Sequence, residues 1–140
     1  NPIPGPMDDY EKSVKRHCGR VGAIEVFLSG PGLENFYSFV TNENKTSKEI
    51  VELFKNGDKT SNKIMDIYFE RTARSFSSIV NILDPDVIVC GGGMSEIDEL
   101  YKEVPKRIIP YIASNFFNTP ILKSKHGSSS GVRGAALLWD

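Results

Sequence analysis

Cysteine is scarce: Cys18 and Cys90 are the two in 140 residues. Two thiols make no disulfide framework, so a reducing, cytoplasmic setting is the default expectation. Histidine occurs twice and tryptophan once. The neighbours His17 and Cys18 are a poor metal signal, because a closed zinc site needs four ligands. There is almost no charge excess. A formal net charge of -1 argues against binding driven by phosphate neutralisation, so no nucleic-acid partner is expected. No apolar run approaches the roughly 20 residues that span a bilayer, and the first residues lack a signal-peptide pattern, so no membrane partner is expected either. What remains is ordinary: 39% hydrophobic and 25% charged residues, as in a single globular domain.

The most informative stretch is Val87-Ile88-Val89-Cys90 followed by Gly91, Gly92 and Gly93. Pro85 pushes the residue before it out of helical geometry. The non-alternating apolar run then reads as a buried parallel strand covered on both faces, with Cys90 a small core residue. Three glycines at its end remove every β-carbon, so a flat ligand or a phosphate can lie on bare main chain. A helix opening at Ser95 would aim its free N–H groups at the same place. A tight strand-to-helix turn without a ligand is the competing reading.

Elsewhere the pattern is mostly helical. The Pro-rich opening Asn1 to Pro6 predicts an extended segment, and Asp8 to Lys15 a charged, solvated one. Ser29-Gly30-Pro31 predicts a helix start, with Leu33, Phe36, Tyr37 and Val40 on its apolar stripe. Thr46 to Glu49 is a capping box, and Asn56-Gly57 ends that helix. Ser61 to about Leu83 predicts the longest helix, with Tyr68, Phe69 and Phe76 as core. After Gly93 a helix runs toward Pro105, Pro120 to Ser124 reads as a second strand, and Val132 to Trp139 as a final helix. Helix, strand, helix, strand, helix in that order predicts an α/β fold: a small parallel sheet with crossover helices.

Four stretches together resemble the carboxyl-terminal part of sugar kinases of the ROK family (repressors, open reading frames and kinases). They are Asn1-Pro2-Ile3-Pro4; Cys18-Gly19-Arg20-Val21-Gly22-Ala23-Ile24-Glu25 running on to Ser29-Gly30; Asp84-Pro85-Asp86-Val87-Ile88-Val89 with the triple glycine; and Lys125-His126-Gly127-Ser128-Ser129-Ser130-Gly131-Val132-Arg133-Gly134-Ala135-Ala136. The last is most similar to fructokinase- or mannokinase-like members.

The resemblance implies a partial actin-like ATPase (ribonuclease H-like) fold, helix-rich. Residues 1–28 would be an extended loop with a degenerate zinc motif, and 29–140 the α/β carboxyl-terminal lobe. It implies ATP with Mg²⁺ as cofactors, a hexose as substrate and a homodimer as the assembly. Gly91, Gly92 and Gly93 match the family's adenosine-binding turn, and Glu25 matches its sugar-binding glutamate, with a helix-start carboxylate as the competing reading. The family motif Cys-x-Cys-Gly-x-x-Gly-Cys-x-Glu is broken here. Arg16 and Ala23 stand at two cysteine positions and the motif's histidine is not in the chain, so no zinc is expected. Also missing are the Asp-x-Gly-Gly-Thr phosphate loop and the aspartate that serves as general base, so these residues by themselves should not catalyse. A sugar-responsive repressor, or a non-catalytic binding or dimerisation module, are the alternatives within the same family.

Overall fold

The computed structural model describes residues 2–16 and 19–139, and of Ser128 and Trp139 the backbone alone. His17 and Cys18 lie outside the described residues.

The fold is assembled on one helix. α5 (Lys59–Leu83) packs against α2 (Glu25–Leu28), α3 (Gly30–Thr41), α4 (Ser47–Lys55) and α6 (Leu100–Arg107). Ile64, Met65, Tyr68, Phe69 and Ala73 of α5 are buried among Leu33, Phe36 and Tyr37 of α3, Ile50 of α4 and Leu100 and Val104 of α6. α5 begins two residues before Ser61, because the Asp58 carboxylate accepts the Ser61 N–H at 2.7 Å and caps the helix there. Buried hydroxyls within it turn inward: Thr72 donates to the Tyr68 carbonyl and Ser75 to that of Arg71, both at 2.8 Å. The Ser29 cap, the Thr46–Glu49 capping box and the turn at Asn56-Gly57 stand as the sequence predicts.

Two strands pair in parallel, β1 (Ile88–Cys90) and β2 (Ile121–Lys123), with Ile88 opposite Ile121 and Val89 opposite Leu122. α6 lies in the crossover between them. The expectation of a strand covered on both faces fails. Ile88 and Cys90 pack against the core, but Val89 is 59% exposed, and Val87 and Leu122 on the same face are exposed too. Nothing among the described residues lies over that face.

Three further expectations change. No α-helix opens at Ser95: a 3₁₀ turn covers Gly93–Glu96 and α6 starts only at Leu100. The final helix α7 (Ser130–Ala136) starts before Val132 and tightens into a 3₁₀ turn over Leu137–Trp139. The segment from Asp8 is not solvated but forms α1 (Asp9–Ser13), with Tyr10 and Glu11 buried.

The reason is a buried charge cluster. Asp8 and Glu11 form a capping box, with the Asp8 carboxylate accepting the Glu11 N–H at 2.7 Å. The Glu11 carboxylate, 1% exposed, accepts from Arg71 Nε at 2.9 Å and Arg74 Nη1 at 3.1 Å. Arg71 also donates to Asp8, while Arg74 donates to the carbonyls of Pro4 and Pro6. The Arg71 guanidinium lies 4.2 Å from the Phe36 ring centroid, a cation–π contact in a desolvated setting. Ile3, buried in the same core, donates its N–H to the Gly22 carbonyl at 2.8 Å. The amino-terminal segment is thus clasped onto α5.

Candidate functional site

The three glycines sit on an open turn. A β-carbon built at Gly91, Gly92 or Gly93 meets no atom within 4 Å. Gly92 has φ +85° and ψ 178°, a conformation open in practice only to glycine. Beyond the turn, Ser95 donates from both its N–H and its hydroxyl to the Gly92 carbonyl, at 3.2 and 2.6 Å. These donors close the turn on itself rather than pointing at a ligand, which corrects the picture of a helix end aimed at this place.

Gly93 and Met94 form one wall of a cleft of about 770 Å³. The facing wall is Gly30 and Pro31 at the start of α3, with Ser47 and Val51 of α4. At Gly30 an added β-carbon would stand 3.2 Å from Ser47 Oγ and 3.8 Å from Met94 Sδ, so the absent side chain keeps α3 close to both. The floor is apolar and the mouth is charged, with Lys48 and Lys55 across from Glu96. A flat heteroaromatic ring fits such a slot, with the bare backbone of Gly93 and the Met94 thioether on one side and Pro31 and Val51 on the other. Ser47 and Val51 of α4 escape a motif search, since small and apolar residues remote in the chain from the glycines give no local signal.

The loop after β2 closes over the same turn. Lys123 Nζ pairs with Glu96 at 2.7 Å, and the Glu96 carboxylate holds the ammonium pKa above its ordinary value. Gly127, at φ +53°, leaves its β-carbon position to Glu96 Oε1. Two of the stretches singled out in the sequence, far apart along the chain, therefore meet at Glu96. Cys90 lies partly buried beneath, and burial pushes its thiol pKa up, so it remains a packed, protonated side chain. Tyr101 donates to the Ser95 carbonyl at 2.7 Å and supports the turn from behind.

Glu25 does not line this cleft. It opens α2, is 55% exposed, and its Oε1 lies 2.5 Å from Arg16 Nε. The two predicted site regions are separate places on the molecule. Arg16 and Ala23, at the two cysteine positions of the motif, offer no zinc ligand near Glu25. Arg16 turns its guanidinium to Glu25, and the side chain of Ala23 is a buried methyl without a donor atom. Among the described residues, no three His, Cys, Asp or Glu side chains come together as a metal cluster.

The long central helix, the parallel strand pair and the glycine turn at the end of β1 define part of an actin-like ATPase fold. The chain superposes on a ROK hexokinase from Thermus thermophilus with a TM-score of 0.77 at 22% identity, over 91% of this chain and 43% of that one. On a ROK family glucokinase from Streptomyces griseus, solved in complex with glucose and AMPPNP, the TM-score is 0.74 at 21% identity, over 86% and 45%. Residues 5–140 match the ROK family, and the chain belongs to that family. Among curated relatives, it is 38% identical over 122 residues to the N-acetyl-D-glucosamine kinase of Haemophilus influenzae (strain 86-028NP), covering 87% of this chain and 40% of that protein. The N-acetyl-D-glucosamine kinase of Vibrio atlanticus (strain LGP32) is 39% identical over 121 residues, covering 86% and 40%. The chain thus spans about 40% of the length of the curated relatives it matches.

Proposed function

We propose that this chain is the carboxyl-terminal lobe of an ATP-dependent hexose kinase that moves the γ-phosphoryl group of Mg²⁺·ATP to a sugar hydroxyl. The observation behind this reading is the bare-backbone turn of Gly91 to Gly93, whose Gly93 lines the cleft facing α3 and α4. The base of ATP occupies that cleft, against Gly93, Val51 and Met94. Glu25, at a separate position, accepts hydrogen bonds from sugar hydroxyls, a role suited to a carboxylate because it is acceptor-only and its hydrogen bonds are charge-assisted. Phosphoryl transfer rests on positioning and on electrostatic stabilisation. The catalytic base belongs to the other lobe, so these residues alone do not turn over. The relatives favour an amino sugar of the N-acetylglucosamine type as acceptor, in place of the fructokinase-like assignment that residues 125–136 suggest. The protein is read as a cytoplasmic homodimer that holds no structural zinc, and elemental analysis showing one zinc per chain would overturn the last point.

The full-length protein is the material for the test. Its kcat/KM with ATP should be highest for N-acetylglucosamine in a panel that includes glucose, mannose and fructose. Glu25→Gln removes a charge-assisted hydrogen bond worth roughly 1.5–3 kcal/mol, so the sugar KM should rise, or kcat fall, by about tenfold or more. The KM for ATP should stay close to its starting value. A change under about threefold would leave Glu25 as a helix-start carboxylate.

A further inference from the structure

Glu25 has one side-chain partner among the described residues, and that partner is held from the other side of a hairpin. Lys15 and Val21 pair in an antiparallel bridge, Arg16 donates its N–H to the Arg20 carbonyl at 2.8 Å, and Gly19 donates back to Arg16 at 2.8 Å. Gly22 donates to Val14, and Ala23 bridges to Pro2, which fixes the chain entering α2. Arg16 and Glu25 thus project from two strands of backbone that are each tied down.

The Arg16 side chain is 37% exposed, yet its Nε is shielded from solvent and makes no well-directed hydrogen bond. Its polar contact is the Glu25 Oε1 atom at 2.5 Å. The second Glu25 oxygen accepts no hydrogen bond among the described residues. A half-exposed ion pair contributes little to stability, but it restricts a carboxylate that no other described residue holds. Displacement of a positioned group by about 1 Å can cost up to a hundredfold in rate.

We infer that Arg16 is the positioning residue for Glu25: it engages one carboxylate oxygen and leaves the other turned outward for a sugar hydroxyl. The inference rests on the sugar role proposed for Glu25. It predicts a change confined to the sugar, since the nucleotide cleft shares no residue with this pair.

The test is a set of variants in the full-length kinase. Arg16→Gln should raise the sugar KM by about three- to tenfold, an expectation based on lost positioning, with the KM for ATP and the melting temperature nearly unchanged. Arg16→Lys keeps the cation but not the planar fork, and should fall between wild type and Arg16→Gln. Glu25→Gln should cost less in the Arg16→Gln background than in the wild type, since partners in one network are not additive. A sugar KM unmoved by Arg16→Gln while Glu25→Gln raises it would overturn the role of Arg16 and leave that of Glu25 standing. An inert Glu25→Gln would overturn both. Equal loss toward sugar and ATP with a lowered melting temperature, or additive effects in the double variant, would make the pair merely structural.

Discussion

Gly92 and Gly93 look alike in the sequence and differ in what a substitution would report. At Gly92 the positive φ makes any side chain strained by about 1–3 kcal/mol, with or without a ligand. At Gly93 the backbone has no such constraint and an added β-carbon enters open space. Gly93→Val should therefore leave the melting temperature almost unchanged, since a surface change of this kind stays within about 0.5 kcal/mol. It should raise the KM for ATP severalfold by filling the wall of the cleft. Normal nucleotide affinity in that variant would remove the nucleotide from this turn. At this scale the glycines and Glu25 could be picked out as candidates because each sits in a contiguous motif. Ser47 and Val51 could not, because only the folded chain sets α4 against the glycine turn. The Asp8–Glu11 spacing was a readable capping box, yet its charge hid the burial: the arginines that neutralise it lie 60 and more residues away.

Among the elements, the starts of α1, α3, α4 and α5 follow capping chemistry, and two of these caps carry a pH dependence. The Glu49 carboxylate accepts from the Thr46 hydroxyl and N–H, both at 2.7 Å, and these bonds hold its pKa below the usual 4.5. The Ser61 N–H does the same for Asp58, whose ordinary value is 3.8. A carboxyl whose pKa is depressed on folding stabilises fully above its unfolded value and loses that contribution as pH falls through the folded one. The starts of α4 and α5 should then loosen below those ordinary values of 4.5 and 3.8. Far-UV circular dichroism across an acid titration reads this, and Glu49→Gln with Asp58→Asn should flatten that limb of the curve. An unchanged limb would assign the acid sensitivity elsewhere. Strand burial was less legible. The apolar run at Val87 to Val89 promises cover on both sides, but what covers a sheet face is set by tertiary neighbours that a local pattern does not encode.

For the molecule as a whole, apolar surface lies open along the last helix, at the end of α5 and on β1. Val132 is 75% exposed and Leu138 79%, while Leu137, Ile82, Leu83 and Val89 are exposed as well. Val132, Ala135 and Ala136, at helical spacing on one face of the last helix, are all exposed, and the Trp139 side chain lies outside the described residues. Large apolar patches seldom stay bare in solution. Light scattering on these 140 residues should accordingly detect self-association that weakens in a version ending at Gly131. A monodisperse monomer in both would show that the patch is tolerated. The clasp around Glu11 has a different consequence, for the order in which the chain assembles. A five-residue helix cannot persist by itself in water, and α1 finds its arginines only after α5 exists. Closing a loop of about 60 residues costs on the order of 3–4 kcal/mol of chain entropy before the carboxylate meets its partners. The helices from α3 to α6 can pack without that closure, whereas α1 and the hairpin bearing Arg16 cannot hold their places without it. The hairpin that brings Arg16 to Glu25 therefore settles after the helical core and loosens before it.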